Sequence, residues 1–353
     1  MRALMSAELR VGYVPYSADL QHPGDRRRLL IWAEANHVKL ETEKPLNSDL
    51  LILSNGANFN YWIKRTQKPV VLDLVDGYLG EKPNWVRDFV RNIVRAVNGK
   101  SNFQDITYTR SLKKACRESK AIIVATPEQR ESVLPFNKNV YVILDDHSEL
   151  LQSVKREVPT IRKEIFWEGF GYTLKHFKTI SRELDEYLSK NQFVLNLLTT
   201  ESFARWGGYL GRIETSKLVK KWFPNSFDKV RIVPWTLENV KSYANKSDFA
   251  IIPIDTNDRF ANLKPENKLL GLWTLGLQVL FSDTPAYKRV AIQAGLESAC
   301  IDRKGWKEAL ENHQSLLSLE SSNLANNYLA KFHAREILIQ KWEEVILNSL
   351  KSA

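Results

Sequence analysis

Cysteine, methionine and long apolar runs are scarce in this chain of 353 residues. Cys116 and Cys300 are its two cysteines. They lie far apart and match no ligand spacing, which argues against a disulfide framework or a thiolate zinc site and for two buried thiols. No apolar run reaches the ~20 residues of a membrane span, and the opening MRALMSAELR lacks the apolar core of a signal peptide. The expectation is a cytoplasmic protein, at most peripheral on the inner face of a membrane. Of the six histidines, His37 and His313 have no partner in the sequence pattern and are expected to be structural. With no Asp-x-Asp in a suitable loop and no His/Cys cluster, neither a bound metal nor a cofactor is expected.

Positive charge is in excess, with 51 Lys and Arg against 41 Asp and Glu and a net charge of +10. An excess of this size favours an anionic partner: nucleic acid, an acidic membrane surface or a phosphorylated small molecule. The one dense basic run, Arg26-Arg27-Arg28, is too short for a nucleic-acid stripe, so no nucleic acid is expected. At 43% hydrophobic residues the chain exceeds what one compact core usually holds. Two domains follow.

Short Val, Ile and Leu runs alternate with helical stretches. In the first half they fall at 9–14, 37–41, 49–54, 69–75, 120–125 and 139–144, with helices expected at 25–35, 85–97 and 127–134. Near-continuous apolar runs of this kind fit strands buried on both faces of a parallel sheet. The rhythm breaks at 148–163, SELLQSVKREVPTIRK, and resumes with strands at 164–169, 193–198, 229–234, 248–254, 278–282 and 298–301. Helices are expected there at 174–189, 237–244 and 285–294, and one long terminal helix at 322–352. The expected division is 1–155 and 156–325 as two Rossmann-like domains, and 326–353 as a helix crossing back to the first. In such domains ligands bind outside the strand carboxyl ends.

Residues 263–283, LKPENKLLGLWTLGLQVLFSD, draw attention. Pro265 suits the first turn of a helix, where a missing N–H is no loss. Lys264 and Lys268 add charge to a helix end whose dipole already attracts anions. Gly276 suits the helix C-terminus, and Thr284 before Pro285 caps the next helix. Leu269, Leu270, Trp273 and Leu275 form its packing face.

The series DFAIIPID, KPENKLL, LGLQVLFSD resembles the nucleotide-sugar half of GT-B glycosyltransferases, especially the large retaining family four. Asp248, Pro253, Lys264, Pro265, Asn267, Lys268, Gly276 and Val279 fill that pattern. The resemblance implies an α/β protein with two doubly wound domains facing a central cleft, and a transferase moving a sugar from a nucleotide-diphosphate donor. A polysaccharide, a lipid-linked glycan or a natural product would be the acceptor. It implies that Lys268 and Arg205 meet the diphosphate, Lys175 being a weaker choice, that Lys264 and Asn267 belong to the same donor site, and that Trp235 stacks on the base. Where relatives place a ribose-binding glutamate, this chain has Gly271, which leaves ribose to Glu266 or Asn267 or leaves it weakly held. On the acceptor side His22, Asp25 and Arg26 follow the first strand, with Gly24 in the position of the loop that approaches the donor phosphates in many such enzymes, and Asp76, Asp145 and Asp146 end two others. Of these, His22, Asp76 and Asp146 are the catalytic candidates, and Asp145 is read as a cap. Arg26 to Arg28, Tyr61-Trp62 and Trp85 offer a face for an anionic bilayer. A nucleotide-sugar epimerase and a non-catalytic scaffold of the same fold are the rival readings.

Overall fold

The computed structural model describes residues 9–80, 85–97, 107–151, 163–204 and 211–351. Two compact units are formed. The first comprises Met1–Asp146, Leu263–Pro265 and Phe332–Ala353, the second His147–Asn262 and Glu266–Lys331.

The first unit is built on six parallel strands, β1 (Val11–Val14), β2 (Leu40–Glu41), β3 (Leu50–Ser54), β4 (Val70–Leu74), β5 (Ala121–Val124) and β6 (Val140–Val142). Their order is β2-β1-β3-β4-β5-β6, and the register is set by pairs such as Val11↔Leu50, Leu51↔Val70 and Ile122↔Val140. Residues of β3, β4 and β5 are buried on both faces, which is why these segments read as continuous apolar runs. One face packs Leu29, Ile31 and Trp32 with Leu338, Trp342, Val345 and Ile346. Each such large apolar side chain contributes roughly 1.5–3 kcal/mol on burial. These contacts place the helix Arg335–Lys351 in the first unit.

The second unit has strands β7 (Glu164–Glu168), β8 (Val194–Thr199), β11 (Val230–Pro234), β12 (Phe249–Ile252), β13 (Val279–Ser282) and β14 (Cys300–Ile301). A short antiparallel pair, β9 (Ser202–Ala204) and β10 (Arg212–Glu214), stands apart from its sheet. The sheet is again parallel, in the order β11-β8-β7-β12-β13-β14. Counted from β7, this is the Rossmann order 3-2-1-4-5-6.

Several helices differ from the sequence expectation. The stretch expected as one helix at 25–35 is two, Pro23–Arg26 and Leu29–Ala35. The terminal helix is likewise two, Leu319–Phe332 and Arg335–Lys351. That interruption falls where the chain passes from one unit to the other, so the two helices bury their apolar sides in different cores. The region 174–189 is a 3-10 run, Gly171–Thr179, followed by the helix Ser181–Lys190. His37 lies in a turn with φ 54°, and His313 stacks on Phe249 with centroids 4.8 Å apart.

Arg28 is fully buried in the first unit. Its Nε and Nη2 donate to Asp73 at 2.9 and 2.6 Å, and its Nη1 donates to Asp145 Oδ1 and to the Ile143 carbonyl, both at 2.9 Å. Burial alone would lower the guanidinium pKa, but Asp73 and then Asp145 beside it raise it above the ordinary arginine value. Arg28 therefore ties the second helix to β4 and to the end of β6, and Asp145 is a partner in this network and not a turn cap. Because deleting one partner strands a buried charge, Arg28→Ala should cost about 3–5 kcal/mol. Lys190→Ala, at an exposed pair with Glu186, should cost under ~1 kcal/mol. Denaturant unfolding of both variants checks the contrast.

His333 is also buried, and burial lowers its pKa from 6.5 to about 4, opposed by Asp146 and Asp145. On acidification the unfolded chain protonates first, so the stability due to neutral His333 is complete above about pH 6.5. It is lost as pH falls toward 4. His333→Gln should therefore flatten the decline in unfolding free energy between pH 7 and 4.5 by up to ~3 kcal/mol, read from urea midpoints at the two pH values.

Candidate functional site

In the second unit the strand order reverses direction between β7 and β12, and in sheets of this order ligands bind outside the strand carboxyl ends at such a point. Four segments meet there. β7 ends at Glu168-Gly169, β8 at Thr199, β11 at Pro234-Trp235, and β12 leads through Pro253 into the loop before the helix Asn267–Thr274.

Lys268 comes from the first turn of that helix. Its ammonium donates to the Glu168 carbonyl at 2.6 Å and lies 4.7 Å from the ring centre of Trp167. A half-buried cation is thus held at the switch point beside the positive end of a helix. Gly169 makes this approach possible. A Cβ there would lie 2.7 Å from Lys268 Nζ and 3.0 Å from both Thr173 Oγ1 and Trp167 Cη2.

Trp235 is half exposed, and its Nε1 donates to Glu168 Oε2 at 3.0 Å while its backbone N–H donates to the Thr199 carbonyl at 3.3 Å. The ring is therefore fixed from two sides. Behind it, Thr236 caps the helix Leu237–Lys246 by accepting from Asn239 N–H at 3.0 Å. Burial raises the Tyr287 phenol well above its ordinary value, with Glu266 and Glu168 adding to the shift.

The helix start departs from expectation. It begins at Asn267, two residues after Pro265, with Glu266 as the flanking residue whose carbonyl accepts from Leu270 N–H. Glu266 itself is fully buried, and its Oε1 accepts from Arg289 Nη2 at 2.9 Å. A carboxylate so placed supports the helix start. The C-terminus follows the sequence reading: Gly276 takes φ 76°, Leu277 N–H donates to Leu272 O and Gly276 N–H to Trp273 O, the two bonds of a Schellman motif. Thr284 caps the next helix through Tyr287 N–H, with Pro285 behind it.

Other residues singled out in the sequence are placed as follows. Lys264 sits in Leu263–Pro265, a segment that packs with the first unit, where the Leu263 carbonyl accepts from Gln129 Nε2 at 2.9 Å. Asn267 is half-buried in the first helical turn. Lys175 pairs with Asp258 at 2.6 Å. Arg205 lies outside the described residues.

In the first unit the switch point lies between β1 and β3. His22 follows β1, is exposed, stacks on Tyr16 with centroids 4.8 Å apart, and its Nδ1 accepts from Gly24 N–H at 3.0 Å. Gly24 is buried against Tyr16, and buried Asp25 accepts from Tyr13 Oη at 2.6 Å and from Tyr16 and Ser17 N–H. Asp76, after β4, accepts from Tyr78 Oη at 3.2 Å. Asp146 is buried and accepts from Arg335 Nη1 at 3.2 Å. These three catalytic candidates are held by different partners.

Sequence reasoning passed over Glu168, Gly169 and the exposed, stacked pair Phe170 and Tyr172, whose centroids are 5.7 Å apart. The signal was available in EGFGYT, two glycines directly behind a buried strand.

Gly169→Ala should destabilise the second unit by ~1–3 kcal/mol, as overpacking does. The clash falls on the end of a flexible side chain, so Lys268→Ala in the same molecule should recover part of the loss. A double-mutant cycle by denaturant unfolding reads this, with an expected coupling of about 0.5–2 kcal/mol.

No protein-family model and no curated protein matches the chain in sequence. Solved structures do match in fold. HepE of Anabaena, solved in complex with UDP, aligns with a TM-score of 0.62 at 11% identity over 98% of this chain and 100% of that one. WaaG, a glycosyltransferase involved in lipopolysaccharide biosynthesis, aligns with a TM-score of 0.58 at 11% identity over 95% and 98%. TarM of S. aureus aligns with a TM-score of 0.52 at 14% identity over 85% of this chain, which spans only 54% of TarM's length. The chain has the GT-B fold: two Rossmann-like units, each with a six-stranded parallel sheet.

Proposed function

We propose that the protein is a glycosyltransferase using a nucleotide-diphosphate sugar, with the donor bound at the carboxyl ends of β7 and β12. The observation that best supports this reading is Lys268, a cation held at the switch point of a Rossmann-ordered sheet and against a glycine that leaves it room. When a glycosidic bond to a diphosphate breaks, negative charge grows on the leaving oxygen. Lys268 and the helix dipole behind it stabilise that charge without reorganising. This arrangement needs no metal.

Trp235, fixed by Glu168 and Thr199, offers a preset face for the base. Neighbours of the same fold have been solved with UDP, HepE and an α-glucosyltransferase among them, which makes a uridine nucleotide the first ligand to try. The acceptor side falls to the first unit. There His22 and Asp76 are the groups able to take a proton from an acceptor hydroxyl, whereas Asp146 is engaged with Arg335. A glycan or lipid-linked acceptor is in keeping with WaaG.

Calorimetry with UDP, GDP, dTDP and CMP, and with their sugars, tests the reading. One of them should bind more tightly than millimolar, a free energy beyond about −4 kcal/mol. Lys268→Ala should weaken that binding at least tenfold and Lys190→Ala should leave it unchanged. If no nucleotide binds, a non-catalytic scaffold of the same fold is the better description. If donor turns over without acceptor, it is an epimerase.

A further inference from the structure

The helix Trp85–Val97 is amphipathic in the reverse of the usual sense. Trp85, Val86, Phe89, Val90, Ile93, Val94 and Val97 are all exposed, from 37% at Val94 to 64% at Trp85 and Val86. These positions recur at helical spacing and make one apolar stripe about 20 Å long. The polar side is the one turned to the protein. Arg95 donates to the carbonyls of Asn55 and Ala57 at 3.1 and 3.0 Å and lies 4.6 Å from the ring centre of Tyr108, while Arg91 lies 5.1 Å from that of Tyr78. Asp88 accepts from Thr109 N–H at 3.1 Å. These bonds fix the roll of the helix, so the apolar side faces outward by construction. Trp85 and Phe89 stack in parallel at 5.4 Å, a paired anchor at the end of the stripe.

We infer that this stripe is a docking surface for an anionic lipid bilayer. A stripe of this size on a water-soluble surface calls for a covering partner, and the charge around it selects which one. Between residues 59 and 118 the sequence has twelve Lys and Arg against six Asp and Glu. Arg110 is exposed on the helix Tyr108–Glu118 that packs against this one, and Lys64, Arg65 and Lys68 are exposed just beyond the helix Phe59–Ile63, which packs on that same neighbour. A second copy of the chain would bring the same positive charge to the contact and be repelled. An acidic headgroup layer would be attracted, while Trp and Phe sink to the headgroup boundary. Of the face expected from the sequence, Trp85 belongs to this stripe, whereas Arg28 is buried within the fold.

Vesicle sedimentation of the full chain tests the surface. At low salt the protein should pellet with vesicles of phosphatidylcholine containing 30% phosphatidylglycerol. It should stay in solution with phosphatidylcholine alone. Trp85→Ser with Phe89→Ser should weaken binding at least tenfold with no change in Tm, and Val86→Ser with Val97→Ser gives an independent pair should the first destabilise the fold. Failure of the wild type to pellet, equal pelleting of both vesicle types, or undiminished binding by a folded variant would overturn the assignment. So would a dimer in light scattering that the same substitutions dissociate, which would give the stripe to a second copy. Each outcome is independent of nucleotide binding.

Discussion

Where two neighbouring parallel strands send their connections to opposite faces of a sheet, the backbone leaves a gap above their carboxyl ends. In the second unit those strands are β7 and β12, and everything of chemical interest described there is arranged around that gap. The Glu168 carbonyl at the end of β7 holds Lys268 from the element that follows β12. The Glu168 side chain holds Trp235 from the element that follows β11. One residue thus ties the end of β7 to the helix Asn267–Thr274 and to the end of β11, through its backbone on one side and its carboxylate on the other. The lysine is a helix residue, so its position depends on where that helix starts. The start is pinned by buried Glu266 against Arg289, and the end by Gly276 in a left-handed turn.

The first unit achieves rigidity by a more expensive route. Its switch-point loop is organised by Asp25, which gathers four donors from Tyr13, Tyr16 and Ser17. The helix that follows is tied down by Arg28, buried between Asp73 and Asp145. A charge taken out of water is tolerable only when nearly every donor is used. Arg28 satisfies this with two carboxylates and a carbonyl. The same segment that looked in sequence like a basic surface run is therefore split by the fold. Its third member closes a core, and Arg26 and Arg27 remain partly exposed.

Periodicity revealed the sheets well, because strands buried on both faces leave an unmistakable record of Val, Ile and Leu. All twelve strands of the two sheets fall on runs visible in the sequence. The pair β9 and β10 did not register, since three-residue strands with polar and exposed positions carry no such record. Helix ends were legible where a proline or glycine has one sterically favoured place, as at Pro285 and Gly276. They were misjudged at Pro265, which sits ahead of the helix, and at 322–352, where no proline or glycine marks the break. The candidate site was half legible. Lys268 stood out by charge beside a helix start, but the functional weight of Glu168 and Gly169 depends on β7 lying next to β12. That adjacency, between residues 84 positions apart, has no local signature.

Gly271 shows what a departure from a resembling pattern can mean once packing is known. A Cβ at that position would lie 3.1 Å from Leu150 Cδ1 and 3.6 Å from His147 Nδ1. Leu150 is buried, in a short 3-10 turn that packs on this helix. A glutamate at position 271 would require the Leu150 side chain to give way, and burying its carboxylate there would add a desolvation cost. The glycine and the turn packed against it are therefore two sides of one arrangement. The volume beside Gly271 is filled by Leu150 and His147, so a larger side chain is accommodated there only if these residues shift.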